Sequence, residues 1–277
     1  MAALRTAPPA GAPRLSRRRR RGLVRGGQYA AFVVAVVVLA LLADWHSIQQ
    51  NFLNPATARG LFPDMITVGL FNTLVYALSG SALGLAAGLV LALMRLSSAA
   101  PYRWFATAYI EVFRGLPALL IFIFVAVGVP LAYPGRELPG GVYGQAAVAL
   151  GLVSAAFMAE IIRAGIEAVP RGQTEAARSL GMSHARALRT IVVPQALRMV
   201  IPPLTNELVS RIKDSSLALF IGVTLTEREL SKFGQDLANQ KSNSTPIVVA
   251  GVCYLAITIP LGYLARRLED RQRKERR

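Results

Sequence analysis

One cysteine and two histidines are all that this 277-residue chain holds of the side chains that most often build disulfides, zinc sites and nucleophilic centres. With Cys253 alone, no disulfide can close within the chain and no cysteine-based metal cluster is suggested. His46 and His184 stand far apart in the sequence and outside every long apolar run, too few for a histidine-based metal site. An intramembrane enzyme would want an internal Ser/His or Asp/Glu-with-His set, and the apolar runs contain no histidine. No Gly-x-x-x-x-Gly-Lys-[Ser/Thr] stretch occurs, nor any Gly-Lys pair, so the chain cannot cradle ATP phosphates by that route. Charge is scarce as well: 17% of residues are charged, against about a quarter in soluble domains.

What charge there is leans one way. Lys and Arg number 31 and Asp and Glu 15, a formal charge of +16. On a soluble chain that balance would suggest nucleic acid. Here the arginines crowd into an N-terminal run at 17–21, a central segment and a C-terminal tail at 266–277, and long apolar stretches separate them. With 53% hydrophobic residues and a mean hydropathy of +0.44, this is the layout of an all-α polytopic membrane protein with basic cytoplasmic segments.

We expect six transmembrane helices. Residues 1–28, rich in Ala, Pro and Arg, are expected to be a disordered basic cytoplasmic tail. The first span, 29–43, is followed by Trp45, placed for the far interface. Cleavage as a signal peptide after Ala43 would put Leu41 at position −3, a poor match to the small-x-small rule, so the span is read as uncleaved. A polar loop at 46–64 carries Asn54-Pro55 and Pro63. The second span, 65–94, holds Gly80, Gly84 and Gly88 at spacing four, a small-residue stripe for close helix packing. Arg95 closes it, and Glu111 and Arg114 in the following loop sit at i,i+3, suited to pairing. Further spans are expected at 116–133 and 142–162, with Glu160 near the end of the latter, and a clean last one at 246–264.

Residues 196–223 are not a clean span, because Pro202, Pro203, Asn206, Glu207, Arg211, Lys213 and Asp214 interrupt them. The basic segment 163–198 and the basic C-terminal tail should both be cytoplasmic, so an even number of crossings lies between them. The awkward segment must supply one, as a broken helix buried in protein or lining a wet cavity. Both termini are then cytoplasmic, and 24 of the 31 Lys and Arg residues fall on that side. On a helix Glu207, Arg211 and Asp214 stack on one face. That face is solvated at the cytoplasmic interface, lines a central pathway together with Glu160 and Asn206, or forms a buried structural network.

Between the fourth and fifth spans lies Gln173 to Pro194, QTEAARSLGMSHARALRTIVVP. Thr174 is a good N-cap, Gly181 can take the left-handed conformation that ends a helix, and Ser183 can cap a second helix running to Pro194. A DNA-binding helix-turn-helix shares these features. Its place between membrane spans argues against that use.

The stretch resembles the signature loop of ABC-type importer permeases: Glu175-Ala176-Ala177, then Gly181, Ile191 and Val193-Pro194, with Val193 where leucine is usual. Further blocks are similar to the polar-amino-acid branch of that family. They are Tyr109-Ile110-Glu111-Val112-Phe113-Arg114-Gly115-Leu116-Pro117, with Leu116 for threonine, and Ala159-Glu160-Ile161-Ile162-Arg163-Ala164-Gly165-Ile166, with Ala164 for glycine. Pro202-Pro203-Leu204-Thr205-Asn206-Glu207 and Lys213-Asp214-Ser215-Ser216-Leu217 match two more. The resemblance covers about 65–268, implying a five-span permease core with the 29–64 segment as an extra N-terminal span and extracytoplasmic loop, a coupling loop at 167–194 and a basic tail at 269–277.

The resemblance implies a division of labour. A second permease copy or a sister permease, two cytoplasmic ABC ATPase subunits and an extracytoplasmic substrate-binding protein would complete the machine, with membrane lipid around it and an amino acid as its substrate. ATP and Mg2+ would sit on the ATPase, leaving this chain without cofactor, metal, catalytic residue or nucleic-acid partner. Glu175, Ala176, Ala177 and Gly181 would couple it to the ATPase, Ala176 and Ala177 giving a thin helix face that seats in a partner groove. An ion-gradient-driven secondary transporter is the alternative; inverted repeats are its frequent sign, and it has no need of such a loop.

Overall fold

The computed structural model describes residues 17–136 and 138–275; the tail expectations for 1–16 and 276–277 lie outside them. The described residues form helices and no strand. By contact density the chain divides into residues 1–49 and 50–277. The first unit holds α1 (Arg17–Leu42) and the start of α2 (Trp45–Phe52). The disorder expected through residue 28 is overturned from 17 onward, because the apolar run continues an uninterrupted helix back through Gly26 and Gly27.

The second unit begins with α3 (Pro55–Arg59), capped by the Asn54 carboxamide oxygen on the Ala56 and Thr57 amides. The polar loop read at 46–64 thus contains two short helices. A π-helical turn, Met65–Leu70, leads into α4 (Phe71–Leu96), followed by α5 (Ala100–Gly115), α6 (Ala118–Ile123) and α7 (Val129–Ala132). Then come α8 (Gly141–Glu167), α9 (Arg171–Ser179), α10 (His184–Ala187), α11 (Val193–Asp214), α12 (Leu230–Lys241) and α13 (Thr245–Glu275).

Among the described residues, four helical stretches are long and apolar enough to cross a membrane, at 25–42, 65–96, 141–167 and 245–272. A fifth exists if α5 through α7, bent by 105°, count as one. The bend is set by Pro117: the residue before a proline is pushed out of the helical region, and Leu116 has φ −85° and ψ 140°. The stretch at 100–115, read as a loop, is therefore a helix of its own. α11 lies outside this group, so the sixth crossing expected from topology has no counterpart in hydropathy.

Other prolines interrupt the helices less than expected. Pro202 and Pro203 lie within a continuous α11, and the broken backbone expected across 196–223 begins only at Asp214, where a 3-10 stretch Ser215–Ile221 ends on left-handed Gly222. Pro194 does not end a helix either. A π-helical turn, Leu188–Val192, precedes it, and another, Phe124–Gly128, precedes Pro130. A wider turn relieves the contact between a proline ring and the carbonyl four residues back.

The core is the seam between α4 and α8. Gly80, Gly84 and Gly88 are buried on α4 and face α8. A methyl group at Gly80 or Gly84 would overlap Leu150 or Ser154, and one at Gly88 would meet the Ala155 carbonyl oxygen at 3.0 Å. With no Cβ between them the two backbones approach closely, which is how helices gain dispersion energy where no water remains to be expelled. Leu91, Ala92, Ala155 and Ala159 continue the seam toward Ala106 and Ile110 of α5 and Val200 of α11.

At the other end, the segment after Gly222 is fastened by side chains to backbone. Asn72 donates to the Thr226 and Arg228 carbonyls at 2.8 and 3.1 Å, and Tyr76 donates to Glu227 O at 2.7 Å. The Tyr143 hydroxyl donates to Asn72 Oδ1 at 2.7 Å, and Thr73 accepts from the Leu230 amide at 3.0 Å. Glu229, fully buried, caps α12 by accepting from the Ser231 and Lys232 amides at 2.6 Å and from the Tyr254 hydroxyl at 2.7 Å. Burial pushes its carboxyl above the ordinary range while these donors pull it back. Sequence reading passed over this segment, since its anchors are single polar residues inside apolar runs.

Candidate functional site

Two features carry the site: the exposed turn between α9 and α10, and a charged face on α11. The turn is built as the glycine suggests. Gly181 has φ +84°, its amide donates to Arg178 O at 3.0 Å, and the Met182 amide donates to Ala177 O at 3.1 Å. That pair of bonds is a Schellman close, which only a residue tolerant of positive φ completes without strain. Ser183 then caps α10, its Oγ accepting from the Arg186 amide at 3.3 Å. Thr174 is not the cap expected: α9 begins three residues earlier, behind Pro170, whose fixed φ suits a helix start.

The loop's faces differ from the sequence expectation in one respect. Glu175 and Ala176 are exposed, but Ala177 is only 3% exposed and faces its own chain. Consecutive helical residues point about 100° apart, so two adjacent alanines cannot share an outward face fully. The most exposed large apolar side chain of the described residues is instead Leu180, at 85%, at the tip beside Gly181. The only hint in the sequence was its position just before the glycine. Val169, Val192 and Ala196 seat the loop on α8 and α11. Between them a cleft of about 510 Å3 is lined by Ile166, Glu167, Thr174, His184 and Leu188.

The α11 face is an ion ladder. Arg211 Nε lies 3.0 Å from Glu207 Oε1 and its Nη1 3.1 Å from Asp214 Oδ2, with Arg211 and Glu207 almost wholly buried. These contacts are close, but the N–H directions miss the oxygens, so they are ion pairs rather than aligned hydrogen bonds. Asn206 does not join this face; its Nδ2 donates to Glu269 on α13 at 3.0 Å. One residue's rotation along the helix separates it from Glu207.

Glu160 belongs to a second cluster. Arg95 pairs with it, Arg163 Nη2 lies 3.0 Å away and Arg114 3.9 Å away, while Arg163 also reaches Glu167 at 2.5 Å. Arg114 thus turns to Glu160 on α8, where the sequence spacing had paired it with Glu111. One aromatic ring joins the two clusters. The guanidinium carbons of Arg114 and Arg211 each lie 5.6 Å from the Phe157 ring centroid, within reach of cation–π attraction. Glu160, Glu207, Arg211 and Asp214 are therefore neighbours through Arg114 and Phe157. Phe157 was invisible beforehand because an aromatic in an apolar helix carries no signal of its own.

Residues 80–274 match the family model described as binding-protein-dependent transport system inner membrane component. The chain is 34% identical to the arginine transport system permease protein ArtQ of Bacillus subtilis (strain 168), over 74% of this chain and 90% of that protein. It is 33% identical to the glutamate/aspartate import permease protein GltK of Escherichia coli O157:H7, over 73% of this chain and 91% of that one. Among solved structures, an amino acid ABC transporter crystallised with histidines superposes with a TM-score of 0.66 at 33% identity, covering 76% of this chain and 94% of that chain. An alginate importer chain, only 15% identical, shares the fold with a TM-score of 0.62.

Proposed function

Because the chain belongs to the family of binding-protein-dependent transport system inner membrane components, we propose that it is the membrane-spanning subunit of an ATP-driven amino-acid importer. The observation that carries this reading is the conjunction of an exposed, Schellman-closed loop at 171–187 with near-full-length likeness to amino-acid permeases. The substrate class is a polar or charged amino acid, in keeping with the names of those relatives.

In this reading the loop is the coupling element. Cytoplasmic ABC ATPase subunits, which hold ATP and Mg2+, grip Glu175, Ala176 and Leu180, and Gly181 sets the angle between α9 and the helix that continues into α11. ATPase states that bind this loop unequally would then bias the permease between inward- and outward-facing forms. A second permease copy or sister permease completes the pathway, and an extracytoplasmic binding protein delivers substrate. Both termini lie in the cytoplasm, as the charge distribution favours. The ladder of Glu207, Arg211 and Asp214 is the face proposed to meet substrate: a zwitterion needs both signs, and Asp214, a third exposed, is its accessible end while Arg211 and Glu207 are buried behind it.

The test is reconstitution with its partner ATPase and binding protein, following uptake of labelled amino acids and ATP hydrolysis separately. Gly181→Val should assemble yet lose substrate-stimulated hydrolysis, since positive φ costs a Cβ-bearing residue about 1–2 kcal/mol. Coupling like wild type would remove the loop from the mechanism. Glu207→Gln and Asp214→Asn should alter uptake affinity or selectivity while basal hydrolysis persists. Unchanged uptake in both would leave the face as structural.

A further inference from the structure

Toward the end of α13 lie two hollows that neither the coupling loop nor the charged ladder uses. One, of about 400 Å3, lies on α13 alone and is lined by Tyr263, Arg266, Arg267, Asp270 and Arg271. The other, of about 300 Å3, is lined by Arg198, Ile201, Leu268, Arg271 and Gln272. Arg271 belongs to both, so the hollows adjoin. Among the described residues that line them are three arginines of α13, Arg266, Arg267 and Arg271, and one carboxylate, Asp270, with Arg198 of α11, which already has a partner, beside Arg271. Arg267 lies over the Tyr263 ring, 4.7 Å from its centroid, which holds the guanidinium at the level of an amphipathic aromatic side chain. Just along the helices, Ile201, Leu197 and Leu264 are about half exposed, so apolar surface runs directly up to the arginines.

This ordering, apolar helix face, then tyrosine, then arginine forks, is what a phospholipid presents in reverse: acyl chain, glycerol, phosphate. Basic clusters at the end of a transmembrane helix and basic pockets between helices are both suited to anionic headgroups, and the guanidinium fork matches phosphate oxygens two at a time. Two adjoining basic hollows sharing one arginine suit two phosphates on one headgroup better than a single phosphate. We propose that this pair of hollows binds an anionic phospholipid carrying two phosphates, of the diphosphatidylglycerol type, one phosphate per hollow with Arg271 between them. The leaflet follows from the orientation proposed above, but binding in detergent does not depend on it, so failure of one reading leaves the other standing.

The test uses the full-length chain purified in mild detergent, with lipid retention read by native mass spectrometry. Diphosphatidylglycerol should be retained more strongly than phosphatidylglycerol, and phosphatidylethanolamine least. In the triple variant Arg266→Gln, Arg267→Gln, Arg271→Gln, retention of the two-phosphate lipid should fall by roughly fivefold per arginine. Arg136→Gln, which removes one charge elsewhere, should change nothing. If the triple variant does not fold, Arg271→Gln alone decides: it should bring the two-phosphate lipid down to the level of phosphatidylglycerol. Retention unchanged by these variants, or phosphatidylethanolamine held equally well, overturns the site. Equal retention of the one- and two-phosphate lipids in the wild type overturns the two-hollow assignment. Displacement by excess inorganic phosphate would make this an anion site and overturn the lipid reading.

Discussion

α8 and α13 are the same kind of sequence and opposite kinds of helix. Their most apolar windows have mean hydropathies of 1.8 and 2.1, yet 61% of the first is buried inside the chain and 11% of the second. The difference lies in side-chain size. α8 presents Ala146, Ala149, Gly151, Ser154, Ala155 and Ala159 to its neighbours, all buried, and Gly80, Gly84 and Gly88 of α4 meet it backbone to backbone. α13 keeps Ile247, Val252, Leu255 and Ile259 on an open face; its other face sets Val249, Ala250 and Cys253 against Leu230 and Phe233 of α12, with polar ties from Tyr254 to Glu229 and from Glu269 to Asn206. Where lipid is as apolar as the side chains, hydropathy cannot choose which helix goes inside; close approach can.

The comparison breaks most sharply at glycine. Gly84→Val should abolish accumulation of folded protein, because its Cβ would overlap Ser154 with the α8 backbone directly behind, an overpacking cost of about 3 kcal/mol or more. Gly251→Val on α13, with nothing within 4 Å, should accumulate normally. Equal expression of the two, measured by size-exclusion profile in detergent, would refute the seam as the organising contact.

A smaller contrast comes from leucine. Leu150→Ala, at a fully buried position, should cost about 2–5 kcal/mol in thermal unfolding. Leu255→Ala, 54% exposed, should fall within about 0.5 kcal/mol of wild type unless α13 is covered by a partner subunit. A large loss at Leu255 seen only in the assembled complex would therefore mark the α13 face as an interface.

The smallest effect sharpens the other half of the comparison. Tyr254→Phe removes the hydroxyl that donates to Glu229 and should cost about 1 kcal/mol. Hydrogen exchange should rise at α12 and the 224–230 segment while the α4–α8 seam stays protected. Uniform loosening of the whole chain would mean α13 is integral to the core.

Much of this was legible beforehand. Gly80, Gly84 and Gly88 share a face because helical spacing puts i and i+4 together, and that required no structure. Gly181 and Ser183 announced a turn because their local chemistry favours it. Thr174 misled, since a good cap is used only where the preceding chain stops being helical, and Pro170 decided that first. Pro202 and Pro203 misled similarly: the helix passes through them, a choice made by the packing of α11 against α4, α8 and α13 rather than by local propensity.

The sequence by itself determined that this is a polytopic membrane protein, which helices have the strongest hydropathy and where the Gly181 turn lies. These follow from composition, periodicity and turn chemistry, all of them local along the chain. Tertiary structure alone decided that Ala177 faces inward while Leu180 faces out, that Arg114 serves Glu160 instead of Glu111, and that Phe157 joins two ionic clusters. It also decided that Asn206 leaves the charged face for α13. Partner choice among charges depends on which helices cross within a few ångströms of each other, because Coulomb attraction at low dielectric falls with distance and ignores sequence separation.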